Sequence, residues 1–181
     1  MNIANLSWLV ALLVLGLWML GAHNRVTALK AAVLAAWTQV DAALQTRAQA
    51  LSALLPRVAE PLASEAAAVD AVAGALAQAQ SAADAVRRAP LATDAVADLG
   101  KADAVLAAVL VRLVALVEQR PALLGEEDVA AALQALREAP PRLAFARELF
   151  NEAGSAYNAA TAQFPTRLLS ALLRFGQAGR L

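Results

Sequence analysis

The side chains best suited to specific binding lie close together near the C-terminus. Arg147, Asn151 and Asn158 are four and seven residues apart, a spacing that places them near one side of a helix. A guanidinium and two carboxamides form ion pairs and hydrogen bonds, but none of them is a general base or a nucleophile at neutral pH. We therefore expect binding rather than catalysis, either as hydrogen bonds between helices or as a recognition surface.

Residue counts exclude the common catalytic and metal sites. The chain has no Cys and one His, His23, so it offers no thiolate zinc site, no Cys-His pair and no paired Glu-x-x-His motifs of a di-iron bundle. We interpret His23 as a polar residue at a membrane interface, which leaves no Ser-His-Asp triad. The eight Gly residues are scattered and form no phosphate-binding loop. We expect no enzymatic activity, no cofactor and no metal.

The composition predicts helices and argues against nucleic-acid binding. Hydrophobic residues make up 60% of the chain but aromatic residues only 4%, so the apolar content is mostly Ala, Leu and Val, a composition typical of helices. Fifteen basic side chains balance fifteen acidic ones. A nucleic-acid protein would normally carry a basic excess, and we therefore expect no nucleic-acid partner.

A heptad pattern around the three polar side chains predicts one long helix. Large side chains recur every seven residues, and an alanine follows three residues after each of the first three. These positions are Leu143, Phe150, Tyr157 and Phe164 for the large residues, and Ala146, Ala153 and Ala160 for the small ones. Such a stripe must pack against partner helices. We call it the aromatic seam and predict that it anchors the core.

The same region resembles the C-terminal signature of the LemA family, in which two aromatic-Asn pairs seven residues apart are followed by Phe-Pro. The matching positions are Phe145-Ala146-Arg147, Phe150-Asn151, Tyr157-Asn158 and Phe164-Pro165, with further matches at Asn24, Leu29, Ala36-Trp37-Thr38-Gln39-Val40-Asp41, Leu55-Pro56 and Arg120-Pro121-Ala122-Leu123. Together they cover nearly the whole chain. The resemblance implies a helical bundle anchored in a bacterial membrane, and it implies fold and placement more firmly than any activity.

Residues 1–22 are predicted to form a membrane anchor. They contain no charged side chain, and residues 3–22 are an apolar run of about the 20 residues that a helix needs to cross roughly 30 Å of hydrocarbon. Trp8 and Trp18 lie near its ends, where indole rings favour the headgroup level. A cleaved signal peptide is the alternative, but no basic residue precedes the apolar run. We therefore predict a single-pass transmembrane helix.

The predicted fold is all-α: the transmembrane helix continues into an antiparallel up-down four-helix bundle with long helices. The bundle is predicted to comprise residues 23–165, and a short amphipathic segment, residues 166–181, follows it. Ser64 and Thr93 are candidate N-caps of the second and third helices. Pro140-Pro141 should kink the fourth helix without ending it, since an interior Pro removes a backbone donor.

This topology returns the fourth helix to the membrane and predicts a basic membrane end and an acidic far tip. The basic residues are Arg25, Lys30, Arg87, Arg88, Arg167, Arg174 and Arg180, and the acidic ones are Glu60, Glu65, Glu118, Glu126, Glu127 and Asp128. Basic residues beside a transmembrane helix tend to stay cytoplasmic. We therefore expect the bundle on the cytoplasmic side of the bacterial inner membrane.

Two functions fit these features. The first is a membrane-anchored interaction module that presents a helical surface, with Arg147, Asn151 and Asn158 as candidate recognition residues, to a protein partner. The second is a membrane-organising protein whose basic membrane end and amphipathic C-terminal segment bind anionic lipid, with Arg167 and Arg174 as candidate lipid contacts. Both assign the lipid bilayer as a partner. They differ in whether the bundle itself binds lipid.

Overall fold

The computed structural model describes residues 3–163 and 176–181, and 89% of these residues are helical. No strand occurs in these two ranges. The all-α class expected from the Ala-rich and Leu-rich composition is therefore confirmed. The predicted lipid contacts Arg167 and Arg174, and the last residue of the aromatic seam, Phe164, lie outside the described residues.

Helix α1, Ile3–Ala59, is a single helix of 57 residues that runs from the apolar N-terminal region into the folded part of the chain. Its large apolar side chains between Trp8 and Leu20 are exposed, whereas from Val26 onward one face is buried. It is the one helix in the described part of the chain that is long and apolar enough to cross a membrane. Pro56 lies inside its last turn.

Helices α2, Ala66–Arg88, and α3, Thr93–Glu118, follow, and neither begins at the predicted cap. Ser64 belongs to a short 3-10 turn, and its hydroxyl faces the Glu65 carboxylate at 3.4 Å instead of capping α2. Thr93 is the first residue of α3, and its hydroxyl donates to the backbone carbonyl of Gln177. Both cap predictions are wrong, because these hydroxyls have other partners.

The single turn α4, Pro121–Leu124, and the long helix α5, Glu127–Ala162, follow α3. Pro140 and Pro141 lie inside α5 and do not interrupt it. Both prolines are exposed, while Ala139 and Leu143 on either side are buried. Burial of these flanking residues holds the helix in place where two backbone donors are missing.

The long helices pack most closely in two pairs, α1 with α5 and α2 with α3. Two apolar clusters, one at each end of the packed region, draw residues from all four of them. One centres on Leu54, Leu113 and Leu133, and the other on Trp37 and Phe150. The core is therefore shared by the four helices rather than confined to either pair.

The aromatic seam lies in this core. Leu143, Phe150 and Tyr157 are buried, and so are Ala146 and Ala160. Phe145, which is outside the heptad pattern, is 64% exposed. The periodicity therefore distinguished the packed Phe from the exposed one on the same helix.

Candidate recognition groove between α3 and α5

The C-terminal tail, residues 176–181, lies against α5 and is held there by two of the predicted recognition residues. Asn158 donates from Nδ2 to the carbonyl oxygen of Ala178 at 3.0 Å and accepts from the Ala178 amide at 2.8 Å. Asn151 does the same for Leu181, with distances of 2.8 and 2.9 Å. Each side-chain amide thus satisfies both backbone polar groups of one tail residue.

The spacing of the two asparagines matches the spacing of an extended peptide. Seven residues of α-helix rise roughly 10.5 Å, and three residues of extended chain cover about 10 Å. Asn151 and Asn158 can therefore contact residues 181 and 178 at the same time, in a tail that runs opposite to α5. An aromatic-Asn pair repeated after seven residues places the aromatic rings in the core and the amides against the tail.

The first turn of α3 forms the other wall of this site. Besides the Thr93 hydrogen bond, Gly179 packs so closely on α3 that an added Cβ would lie 2.7 Å from the Cβ of Val96 and 3.0 Å from the Cα of Thr93. Gly154 on α5 faces the same tail residue at a looser distance, since an added Cβ would lie in ordinary contact, 3.5 Å from the Gly179 carbonyl oxygen. Glycine is therefore required at position 179 for steric reasons.

The third predicted recognition residue, Arg147, joins a buried ion cluster. Its guanidinium contacts one carboxylate oxygen of Asp103 on α3, and Arg47 of α1 contacts the other. The Asp103 side chain is only 4% exposed, while that of Arg147 is 31% exposed. Burying charges costs free energy that the pairing must offset, so this cluster fixes how α1, α3 and α5 approach one another.

Beyond Arg147 the groove between α3 and α5 widens into an open cavity of about 560 Å³. Arg147 and Asn151 also line an open depression beside Arg180 of the tail. The tail thus fills one end of the groove, Arg147 lies between the two ends, and the second end is open and mostly apolar.

The predicted charge separation is partly neutralised by ion pairs. At the predicted acidic tip, Arg57 pairs with Asp128 and Arg137 with Glu118, each at 2.5 Å. At the predicted basic end, Arg87 lies between Asp41 and Asp84. The pKa of Arg87 is raised, mainly because Arg87 donates a hydrogen bond to Asp41.

Sequence reasoning singled out Arg147, Asn151 and Asn158 as candidates but did not predict which residues they contact. The tail partners had no sequence signal, because residues 176–181 show no periodicity. Asp103 did have a sequence signal, because it lies four residues after Leu99 and three before Leu106, on the buried face of α3. An acidic residue within an apolar stripe indicates a buried cation on a facing helix.

The fold and the groove define an all-α protein with one long exposed apolar helix end and a tail folded back onto its last helix. The chain belongs to the LemA family, whose family model matches residues 36–180. The match extends into the tail, so the tail is part of the family region. No curated protein matches the chain.

Proposed function

We propose that this LemA family protein is a membrane-anchored, antiparallel four-helix bundle that binds a protein partner in the groove between α3 and α5. The start of α1 supports the anchor, since its large apolar side chains from Trp8 to Leu20 are exposed. Contacts between opposite ends of helices support the antiparallel arrangement: Arg57 near the end of α1 pairs with Asp128 in the first turn of α5. We place the anchor in the bacterial inner membrane and the bundle in the cytoplasm.

The observation that carries the partner proposal is the double pairing of Asn151 and Asn158 with an extended segment. These amides contact backbone groups, which every peptide has. Side chains are restricted at two tail positions, by the close contacts of Gly179 with α3 and by the burial of Ala178. Main-chain recognition of an extended segment is a common way to bind peptides. The partner segment would need a small residue followed by Gly, as Ala178 and Gly179 are in the tail.

A peptide-binding experiment on the full chain tests this proposal. Gly179→Val should release the protein's own tail, because the new side chain would overlap Val96, and should leave the groove intact. The labelled probe is a synthetic peptide of residues 176–181. We expect this variant to bind the peptide at least about tenfold more tightly than the wild type, whose own tail competes.

The control variant is Gly176→Val, since an added Cβ at Gly176 meets no atom within 4 Å. It should bind the peptide as weakly as the wild type does. Adding Asn151→Leu and Asn158→Leu to Gly179→Val should abolish binding. If Gly179→Val kept its helicity and did not bind the peptide, the groove would be a fixed contact of the fold and the proposal would be wrong.

The lipid-binding alternative depends on the basic membrane end and on Arg167 and Arg174, and these two arginines lie outside the described residues. The hydrogen bonds of Asn151 and Asn158 with the tail are what favour the partner proposal.

A further inference from the structure

The open end of the groove has the size and lining of a small-molecule site. Its volume of about 560 Å³ lies within the roughly 300 to 1,000 Å³ of typical ligand pockets. Apolar side chains of α3 and α5 form most of its walls: Ala107, Leu110, Val111, Val114, Leu136 and Leu143. Val111 is 72% exposed. An apolar ligand in this groove would cover that surface.

The charges of the cavity favour an anion. Five charged side chains line it, three arginines and two acids: Arg47, Arg137, Arg147, Asp103 and Glu118. Arg137 and Glu118 pair with each other at one end. At the other end Arg47 and Arg147 share the single carboxylate of Asp103, which leaves one positive charge in excess there.

Arg147 is also accessible from the cavity. Its side chain lines the cavity and is 31% exposed, although one of its nitrogens contacts the buried Asp103. A guanidinium carries five N–H donors, so the contact with Asp103 leaves donors for a bound anion. The excess charge and these donors belong to the same side chain, at the apolar cavity's edge.

We propose that this cavity binds a single-chain anionic amphiphile. The carboxylate or phosphate head would pair with Arg147, and the hydrocarbon chain would lie along Leu110, Val114 and Leu136 toward the Glu118–Arg137 pair. If α1 crosses the membrane as proposed, Arg47 lies roughly 37 Å beyond Ala22 at about 1.5 Å per residue. At that distance the ligand is a free amphiphile and not a lipid within the bilayer.

Photolabelling of the full chain in zwitterionic nanodiscs tests this proposal. The probe is a diazirine analogue of laurate, and the labelled residues are identified by mass spectrometry. We expect labels on α3 and α5 around Val111 and Leu136, with competition by laurate but not by lauryl alcohol or acetate. A comparison of laurate with lauryl phosphate as competitors distinguishes a carboxylate head from a phosphate head.

Two variants and a matched control complete the test. Arg147→Gln should lower labelling of the groove about tenfold, the effect of losing one charge-assisted hydrogen bond, and Arg147→Lys should restore part of it. Val111→Trp should block the cavity. Val105 is exposed on the same helix and lies outside the cavity lining. Val105→Trp should therefore show the same photolabelling of the groove as the wild type. Equal competition by lauryl alcohol, or groove labelling unchanged by both Arg147→Gln and Val111→Trp, would overturn the proposal.

Discussion

Trp37 of α1 meets Phe150 of α5 edge to face, with ring centroids 6.0 Å apart and an interplanar angle of 67°. Both side chains are buried in one apolar cluster. The same cluster contains Tyr157 of α5 and Ala178 of the tail. This contact links the helix that begins with the apolar run to the helix that holds the tail. The aromatic seam is therefore a packing device, and its polar neighbours are free to contact other segments.

Phe150→Ala should strongly destabilise the fold. Truncating a buried Phe to Ala typically costs about 3 to 5 kcal/mol, a large share of the roughly 5 to 15 kcal/mol that stabilises a domain. Phe145→Ala is the matched control, because Phe145 lies on the same helix and is mostly exposed. Thermal unfolding followed by circular dichroism should show a sharp drop in midpoint for the first variant only. Equal midpoints would contradict the packing role of the seam.

Tyr157→Phe should maintain or raise stability near neutral pH. The Tyr157 hydroxyl is buried without a hydrogen-bond partner, and removing it relieves a cost of about 1 kcal/mol or more. Denaturant unfolding measures the difference. A loss of more than about 1 kcal/mol would show that the hydroxyl makes a stabilising contact in solution.

The same residue predicts a pH dependence. Burial raises the pKa of Tyr157 above its ordinary value of 10.0, so folding favours the neutral phenol. Stability from this group is complete below pH 10 and falls as the pH rises through the folded-state pKa. Tyr157 is the only Tyr in the chain, and its phenolate absorbance therefore reports this titration directly. Tyr157→Phe should lose this part of the alkaline destabilisation.

Asp103→Ala should destabilise the protein more than removal of an exposed acid. It leaves Arg47 buried without its partner, and breaking a buried ion pair in this way typically costs about 3 to 5 kcal/mol. Asp98→Ala removes the partner of Lys101 in an exposed pair, which should cost no more than about 1 kcal/mol. Urea titrations of the two variants make the comparison. Similar losses would mean that Asp103 is not the anchor of the cluster.

Replacing the whole cluster should recover most of that loss. In the triple variant Arg47→Met, Asp103→Leu, Arg147→Met, no charge is left unpaired, and such apolar replacements are often neutral or stabilising. We expect a free energy of unfolding close to that of the wild type. A triple variant as unstable as Asp103→Ala would indicate that the cluster contributes shape as well as charge.

Deleting residues 1–22 should release the protein from membranes and preserve its helical core. Among the described side chains of α1, the first buried one is Val26, so the deletion removes none of the described core residues. Membrane fractionation with high-salt and carbonate washes, followed by circular dichroism of the soluble protein, tests this. Retention of the shortened chain in the washed membrane fraction would place a membrane contact elsewhere in the chain.

Periodicity predicted the core well because burial on a helix repeats at a regular interval. Leu143, Phe150 and Tyr157 were found in this way, and the continuity of α1 followed from the absence of Gly and Pro between Asn24 and Pro56. Helix starts were predicted poorly. Ser64 and Thr93 are common cap types, but a hydroxyl has several possible acceptors, and the fold gave these two other partners.

The groove was beyond sequence reasoning for a different reason. Asn151 pairs with a residue 30 positions away and Arg147 with one 44 positions away. Neither partner follows a local pattern, since each depends on how separate helices approach. Residue type and spacing singled out Arg147 and Asn151 as polar side chains beside the seam. Only the packed structure showed which residues they contact.

The unbroken course of α1 has a mechanical consequence. Trp8 at its exposed apolar end and Arg47 in the buried ion cluster are on one helix with no loop between them, so a rotation or tilt imposed on the first would be transmitted to the second. One residue inserted after Ala22 would turn the groove by roughly 100° about the helix axis and shift it about 1.5 Å. The length of α1 between its apolar end and the ion cluster therefore fixes the direction, about the helix axis, in which the groove faces.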